Sequence, residues 1–250
     1  MFYLLILILQ MKLIKQITEL NKAINKEKEL GFVPTMGSLH KGHESLIKIS
    51  KTKCRKTIVS IFVNPTQFDN KDDYNSYPRA LNKDLKTLKK LKVDYVYLPT
   101  VAQIYNGLDK SKISLNKSDK VLCAKFRKGH FEGVLDILNR FVKLISPKIV
   151  FMGEKDYQQF FLTKKFIEKR YKSKIYLSKT IRNSNNVALS SRHNLLNHNL
   201  CGGGTTAINK LITSKRNLKK IVDILGREIK NTHKKNRILF YIYEDGTIEK

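Results

Sequence analysis

The sequence is poor in cysteine, and its few cysteines lie far apart. Its 250 residues contain three, Cys54, Cys123 and Cys201, with no Cys-x-x-Cys pair among them. This spacing excludes a zinc ribbon, a thioredoxin-like redox motif and a disulfide framework. A chain of this length buries a core large enough to fold without such cross-links. The cysteine pattern therefore favours a reducing compartment.

Acidic residues are scarce compared with basic ones. The chain has 49 Lys and Arg against 21 Asp and Glu, which gives a formal net charge of +28. Such a charge suits a nucleic-acid-binding protein, because lysines that neutralise phosphates release counterions. However, the lysines are scattered along predicted helices, as at Lys83, Lys86, Lys164 and Lys165, and no aromatic–basic signature of an RNA module accompanies them. We interpret them as solvated surface residues and expect no nucleic-acid partner.

Long hydrophobic runs are also missing. The apolar stretch at the N-terminus ends at residue 9, well short of the roughly 20 residues that a transmembrane helix needs. Lys12 and Lys15 follow this stretch instead of preceding it, which argues against a secretory signal. We expect residues 1–10 to be a non-essential extension, with Met11 as the working start of a helix that reaches Ile24. We expect no membrane partner.

Short apolar stretches alternate with helical patterns over most of the chain. The stretches are rich in β-branched residues, as strands buried on both faces of a sheet are. Apolar residues spaced by three and four positions between them predict helices, for example over 81–91 and 131–145. The alternation implies right-handed βαβ units and an α/β fold, a Rossmann-like parallel sheet with helices on both faces. The predicted strands are 31–35, 57–63, 93–99 and 148–153.

The pattern weakens from about residue 178 onwards. A glycine-rich stretch, CGGGTT at 201–206, interrupts it, and a short apolar segment follows near the C-terminus. We therefore expect a nucleotide- and substrate-binding domain over 11–177. A smaller, shortened α+β lid domain is expected over 178–250.

The first group of candidate site residues lies between the first predicted strand and a helix, in the sequence PTMGSLHKGH. Gly37 and Gly42 allow tight turns and close approach of the backbone. His40 and His43 are three residues apart, so they project from nearly the same side of a first helical turn. A helix N-terminus attracts anions, and two imidazoles there can donate hydrogen bonds to a triphosphate. A histidine pair is often only surface or core decoration, but this placement is typical of α/β nucleotidyltransferases.

Three more groups of polar residues also follow predicted strands or occupy one loop. Asn64 and Gln67, in SIFVNPTQF, bring amides to a strand end, and amides suit a hydroxy-acid substrate because they both donate and accept; the alternative is a loop held by Asn-Pro turn chemistry. In FMGEKDYQQF, Lys155 suits a phosphate, and Asp156 suits a ribose or a metal. In LSSRH, Arg192 suits a bidentate phosphate clamp.

These stretches, in this order, resemble the pantothenate synthetase (pantoate–β-alanine ligase) family. PTMGSLHKGHESL, VSIFVNPTQFDNKDDYNSYPRALNKDL, RKGHFEGV and FMGEKDYQQF match its motifs closely, and IRNSNNVALSSRH matches more loosely. The resemblance covers about residues 11–195. It implies a cytoplasmic enzyme, usually a homodimer, that uses ATP and Mg²⁺ to make pantoyl adenylate. β-Alanine then attacks this intermediate to give pantothenate and AMP.

The resemblance also implies roles for individual residues. His43 would be the proton donor, with His40 beside it and Lys155 as a catalytic cation. Gln67, Gln159 and Asn64 would hold pantoate. Gln67 and Tyr77 would lie near β-alanine, and Asp84 near Mg²⁺. The residues that would contact ATP are Met36, Gly37, Ser38, Leu39, His40, Lys41, Gly42, His43, Gly153, Glu154, Lys155, Asp156, Ile181, Leu189, Ser190, Ser191 and Arg192.

The chain departs from the family pattern in its last motif. Asn185 and Asn186 replace an acidic–glycine turn, and His193 replaces an asparagine. Asparagine tolerates the left-handed conformation, so we expect the turn to form. Two alternatives stay open. One is another adenylating enzyme of the nucleotidyltransferase fold, which acts on a different acid and should not keep the set Asn64, Gln67 and Gln159. The other is a basic RNA-binding protein on a decayed synthetase fold, which would show a steeply salt-dependent RNA affinity.

Overall fold

The structure, a computed structural model, describes residues 11–106 and 113–195 and the backbone of three further strands within 218–249. The predicted extension at 1–10, the glycine-rich stretch at 201–206 and Cys201 lie outside the described residues. Most of the predicted lid domain also lies outside them, so the boundary at 177/178 stays a prediction.

Parallel strands form the main sheet of the described residues, which confirms the predicted α/β fold. The strands are β1 (Lys12–Ile14), β2 (Leu30–Thr35), β3 (Lys56–Ile61), β4 (Tyr95–Tyr97), β5 (Ile149–Gly153) and β6 (Lys174–Ser178). Their order across the sheet is β1-β4-β3-β2-β5-β6, and every neighbouring pair is parallel.

Helices connect the strands, and short 3₁₀ turns follow several of the strand ends. The helices are α1 (Ile17–Ile24), α2 (Lys41–Lys53), α3 (Lys71–Ser76), α4 (Leu81–Lys90), α5 (Val101–Tyr105), α6 (Cys123–Phe126), α7 (His130–Ile145) and α8 (Tyr157–Ile167). The 3₁₀ turns are Pro65–Gln67, Lys117–Asp119, Glu154–Asp156 and Ser191–Leu195.

Two apolar clusters, one on each face of the sheet, form the core. Successive residues of a strand point to opposite faces, and Phe32 and Val33 of β2, both fully buried, belong to different clusters. Phe32 packs with side chains of α1 and α7, including an edge-to-face contact with Phe141 at 5.6 Å between ring centroids. Val33 packs with side chains of α2 and α4, such as Leu46 and Leu88. Helices therefore cover both faces, as predicted.

The predicted helix from Met11 to Ile24 is wrong at its start. Lys12–Ile14 forms strand β1, which pairs in parallel with β4, and Ile14 is fully buried. The helix begins only at Ile17, where the side chain of Glu19 accepts the backbone N–H groups of Lys15 and Gln16. The local spacing is helical, but pairing with β4, about 80 residues further along the chain, decides the conformation.

The strand order reverses next to β2. β3 follows β2 along the chain and lies on one side of it, whereas β5 lies on the other side. In open α/β sheets, ligands bind at the carboxyl ends of strands at such a switch point. The segment Met36–His40 leaves the end of β2, and Glu154–Asp156 leaves the end of β5. The topology therefore brings two of the predicted site segments together.

Three strands near the C-terminus form a second, antiparallel sheet. They are β7 (Leu218–Asp223), β8 (Leu239–Tyr243) and β9 (Ile248–Glu249), in the order β7-β8-β9. In the part of the chain that the structure describes, no helix has the length and apolar character needed to cross a bilayer.

Candidate active site

A cavity of about 280 Å³ lies at the carboxyl ends of β2, β3 and β5. Each of the four predicted groups contributes to its wall. The predicted residues that line the cavity are Met36, His40, Gly42, His43, Asn64, Gln67, Tyr77, Gly153, Lys155, Asp156, Gln159, Ile181, Leu189, Ser190, Ser191 and Arg192. The predicted residues outside the wall are Gly37, Ser38, Leu39, Lys41, Asp84 and Glu154.

Backbone hydrogen bonds orient the two histidines at the start of α2. The N–H of Gly42 donates to Nδ1 of His40 at 3.1 Å, and the N–H of His40 donates to Nδ1 of His43 at 3.3 Å. A neutral imidazole has one donor and one acceptor nitrogen. Because Nδ1 accepts in both rings, each neutral ring carries its proton on Nε2. The first turn of α2 therefore presents two N–H donors, with ring centroids 4.1 Å apart.

Both histidines favour the neutral form. Burial, assisted by the nearby His40 and Lys155, lowers the pKa of His43 to about 3. Burial is also the largest cause that lowers the pKa of His40, followed by the charge of Lys155. Near pH 7 the pair therefore consists of hydrogen-bond donors without a net charge, and Lys155 supplies the fixed positive charge beside them.

The predicted amide residues are not equivalent in their contacts. Asn64 is 1% exposed, and its side chain accepts from the Tyr105 hydroxyl at 2.6 Å and donates to the Gly133 carbonyl at 3.2 Å. It also donates to Oε1 of Gln67 at 3.1 Å. Both ends of the Asn64 amide are thus occupied, and the residue orients Gln67. The amide of Gln159 makes no hydrogen bond within the described residues.

His130 and Arg127 line the cavity, although neither was among the predicted site residues. Nδ1 of His130 lies 2.6 Å from the carbonyl oxygen of Gln67, so Nδ1 is the protonated nitrogen, and Nε2 accepts from Arg127 at 2.9 Å. Arg127 also pairs with Asp69 at 2.8 Å. These contacts fix the backbone at Gln67. Both residues belong to RKGHFEGV, one of the stretches that carry the family resemblance, and that stretch was the signal that could have identified them.

Gly133 of α7 allows the 3₁₀ turn Pro65–Gln67 to approach the helix. A Cβ at this position would lie 2.4 Å from the carbonyl oxygen of Thr66, and backbone cannot move aside as a side chain can. We expect Gly133→Ala to displace the turn, to lower the free energy of unfolding by about 1–3 kcal/mol and to raise the KM for any substrate that contacts Gln67 in the cavity. Urea unfolding and steady-state kinetics measure the two effects. Lys143→Ala, at an exposed position of the same helix, is the control, and a Gly133→Ala protein as stable as this control would contradict the packing argument.

The segment Leu189–Arg192 lies against the turn that follows β2. The Ser191 hydroxyl donates to the carbonyl oxygen of Ser38 at 2.9 Å. Arg192 pairs with Asp73 at 2.9 Å, and its guanidinium lies over the Tyr77 ring at 5.4 Å from the centroid. The segment therefore closes one side of the cavity through contacts with the turn after β2, with α3 and with Tyr77.

The asparagine-rich turn before this segment forms as expected. Asn186 adopts a left-handed conformation with φ of 61°. The side chain of Asn183 accepts the N–H groups of Asn185 at 3.0 Å and Val187 at 2.9 Å. The N–H of Leu189 then donates to the carbonyl of Ile181. Asn186 thus provides the left-handed residue of this turn.

The described residues do not build a magnesium site from their own side chains. No group of three or more His, Cys, Asp or Glu side chains in the described ranges is placed to hold a metal ion. Asp84 lies outside the cavity wall, is 1% exposed, and uses both carboxylate oxygens to accept backbone N–H groups. A direct protein-ligated Mg²⁺ at Asp84 therefore does not fit this arrangement.

Comparison with known sequences gives consistent matches over most of the chain. A sequence model of the family described as pantoate-beta-alanine ligase matches residues 10–248. A pantothenate synthetase from Pseudothermotoga lettingae is 37% identical over 237 residues, which cover 93% of this chain and 82% of that protein. Another, from Thermosipho africanus, is 36% identical over 238 residues, which cover 91% of this chain and 86% of that protein.

Solved structures match the fold as well. A pantoate-beta-alanine ligase from Francisella tularensis, solved in complex with beta-gamma ATP and beta-alanine, superposes with a TM-score of 0.77 at 31% identity and covers 93% of each chain. A pantothenate synthetase structure from Thermus thermophilus superposes with a TM-score of 0.81 at 23% identity, covering 95% of this chain and 96% of that one, and it supports the fold alone.

Proposed function

The chain belongs to the pantoate–β-alanine ligase family, and we propose that its cavity joins pantoate to β-alanine through a pantoyl-adenylate intermediate. A member of this family is a ligase, which forms the amide bond at the expense of ATP. One observation carries the proposal. The two neutral histidines, the Lys155 ammonium and the amides of Gln67 and Gln159 all line one cavity at the switch point of the sheet.

The first step transfers an adenylyl group to pantoate. A carboxylate oxygen of pantoate attacks the α-phosphorus of ATP, the bond to the bridging oxygen breaks, and diphosphate leaves with the electron pair. Negative charge builds on the phosphate oxygens during this step, and preorganised donors lower its energy. The Nε2–H groups of His40 and His43 and the ammonium of Lys155 are the donors that we assign to it.

Pantoate binds in the deeper, partly apolar end of the cavity in this proposal. Gln67 and Gln159 hold its hydroxyl groups, since amides both donate and accept, and Asn64 acts by holding Gln67 in place. Apolar side chains that line the same cavity suit the two methyl groups of pantoate; they include Phe62, Val134, Leu138 and Phe141.

The second step forms the amide. The amine of β-alanine attacks the acyl carbon of the adenylate, the acyl C–O bond breaks, AMP leaves, and the nitrogen releases a proton to solvent. We place β-alanine near Gln67 and Tyr77, both in the cavity wall. The Francisella tularensis relative was solved with beta-gamma ATP and β-alanine bound, which supports the proposal that a protein of this fold binds both ligands.

ATP lies along the strand ends and the closing segment in this proposal. Gly153–Asp156, Ile181 and Leu189–Arg192 contact the nucleotide, together with Met36–His43. Mg²⁺, bound to the ATP phosphates, would supply charge neutralisation there. Within the described residues, no group of three or more His, Cys, Asp or Glu side chains is placed to hold a metal ion. No step assigned to this chain therefore depends on a carboxylate ligand to the metal.

We also propose a cytoplasmic homodimer, as the family resemblance implies. Cys54 and Cys123 are free thiols, which supports a reducing compartment. Light scattering after size exclusion measures the oligomeric state, and cell fractionation measures the location.

Product analysis tests the function. The purified chain with pantoate, β-alanine and ATP is expected to form pantothenate, AMP and diphosphate, and to form none of them when pantoate is omitted. Formation of AMP without pantoate, or of an amide with hydroxy acids but not with pantoate, would point to a different adenylating enzyme.

Substrate selection by Gln67 and Gln159 is testable by truncation. Gln159→Ala or Gln67→Ala leaves a polar group of buried pantoate unpaired, which costs about 1–3 kcal/mol. We expect this loss mainly as a higher KM for pantoate, measured at saturating ATP and β-alanine. Gln158→Ala is the control, because Gln158 lies outside the cavity wall and donates to the carbonyl of Val121 at 2.6 Å. Unchanged pantoate kinetics in both cavity variants would remove the assignment.

A further inference from the structure

Asp84 is a buried carboxylate whose two oxygens hold one short stretch of backbone. It lies in the first turn of α4 and is 1% exposed. Oδ2 accepts the N–H of Ser38 and Oδ1 accepts the N–H of Leu39, each at 2.8 Å. No Lys or Arg of the described ranges forms an ion pair with it. Burying a charge costs free energy unless the charge is hydrogen-bonded. These two charge-assisted hydrogen bonds offset the lost hydration of the carboxylate.

The backbone that Asp84 holds is an unfavourable turn. Gly37 has a φ of 80° and Ser38 a φ of 51°, both in the left-handed region. A non-glycine residue in such a conformation is strained and persists only where its surroundings fix it. The bonds from Asp84 to the next two N–H groups supply that constraint. A Cβ on Gly37 would also lie 3.1 Å from Asp84 Oδ2, so the carboxylate fits closely under this glycine.

Both sides of the cavity depend on this turn. Met36 comes before the turn, and His40, the N-cap residue of α2, comes after it. Both residues line the cavity. The N–H of His40 in turn orients His43. On the other side, the carbonyl of Ser38 accepts the Ser191 hydroxyl and so docks the closing segment.

We propose that Asp84 is a positioning residue, which holds the Gly37–Leu39 turn so that the histidine pair and the closing segment meet the ATP phosphates together. It does not coordinate Mg²⁺, although the family resemblance places it near the metal. A Mg²⁺ ion loses its waters reluctantly and keeps several of them, and a hydrated ion does not reach a carboxylate that is buried outside the cavity wall. The inference rests on the proposed function for its catalytic consequence.

The test uses Asp84→Asn, which keeps the shape of the side chain but turns an NH₂ group towards one of the two N–H groups. Small displacements of catalytic groups cost about 10²-fold, so we expect kcat to fall by about that factor. The Mg²⁺ concentration for half-maximal activity is expected to stay unchanged. Hydrogen exchange at the Ser38 and Leu39 amides is expected to accelerate.

Asp94→Asn is the matched control. Asp94 also accepts a backbone N–H, from Thr57 at 2.9 Å, and pairs with Lys56 at 2.8 Å, but it lies outside the cavity wall. This variant is expected to lose stability and to keep kcat, which separates positioning of the site from a general loss of stability.

Two outcomes would overturn the proposal: an increased Mg²⁺ requirement in Asp84→Asn, which would make Asp84 a metal ligand, or an unchanged kcat. If Asp84→Asn does not fold, amide exchange in the unaltered protein decides. Protected Ser38 and Leu39 amides that do not respond to Mg²⁺ support the proposal, and rapid or Mg²⁺-dependent exchange contradicts it. Failure of the proposed function gives a different result: the unaltered protein makes no pantothenate. Amide exchange at Ser38 and Leu39 can still be measured in that case, and it tests the positioning role independently.

Discussion

His43→Ala is expected to lower the rate of adenylation by about 10²–10³-fold, the usual effect of removing one preorganised donor from a developing charge. Ground-state binding of ATP is expected to change less, because the charge that Nε2–H meets develops during the reaction. Transfer of the pantoyl group to β-alanine is expected to suffer less as well, since AMP is already a good leaving group in the preformed adenylate.

Single-turnover assays separate the two steps. One starts from pantoate and ATP and the other from synthetic pantoyl adenylate and β-alanine. Lys48→Ala is the control, because Lys48 lies at an exposed position of the same helix, α2, and outside the cavity wall. An equal loss in both assays, or no loss in the first, would remove His43 from the adenylation step.

The charge state of His43 gives a second measurement on the same residue. Because burial lowers its pKa to about 3 in the free protein, His43 stays neutral from pH 5 to pH 8. We therefore expect it to act as a hydrogen-bond donor, and not as the proton donor that the family resemblance implies. The pH profile of kcat/KM for ATP reports ionisations of the free enzyme. We expect none of the rises or falls of this profile between pH 5 and pH 8 to be lost in His43→Ala. A fall in kcat/KM with rising pH that is lost in His43→Ala would show that the protonated His43 imidazolium is the active form.

Lys155→Met is expected to reduce the adenylation rate by roughly 10²-fold, because it removes the fixed positive charge beside the histidine pair. Lys155→Arg is expected to recover only part of the rate, since a planar guanidinium does not replace a compact ammonium. Lys164→Met, on the surface of α8 and paired with Glu168 at 3.3 Å, is the control. The same single-turnover assay measures all three variants, and full activity in Lys155→Met would contradict the electrostatic role.

Strand-end motifs were predictable from the sequence because each is a local pattern. PTMGSLHKGH combines turn glycines, two histidines and the start of a helix in ten residues, and six of these residues, His40 and His43 among them, line the cavity. The parallel sheet was also predictable, since buried strands and amphipathic helices alternate with clear periods. The edge strand Lys12–Ile14 was missed because three residues are too few to show the alternation of a strand. Only its pairing with Tyr95–Tyr97 distinguishes it from the start of a helix.

Roles that depend on distant contacts were beyond local patterns. Asp84 is 45 residues from Leu39, so its hydrogen bonds to the turn follow from the packing of α4 and not from any spacing. Asn64 lines the cavity as predicted, but its contacts with Tyr105 and Gly133 occupy its amide, and sequence does not show which polar groups are already paired. His130 and Arg127 act on Gln67 from α7 and the residues just before it, across more than 50 positions.

The central claim is that pantoate is activated by its own carboxylate at the α-phosphorus of ATP. Pantoate labelled with ¹⁸O in its carboxyl group tests this claim directly, because amine attack breaks the acyl C–O bond and leaves that oxygen on the phosphate. Mass spectrometry of the products from pantoate, β-alanine and ATP is predicted to show one ¹⁸O atom in AMP. Unlabelled AMP, or label in orthophosphate with ADP as the second product, would contradict the account.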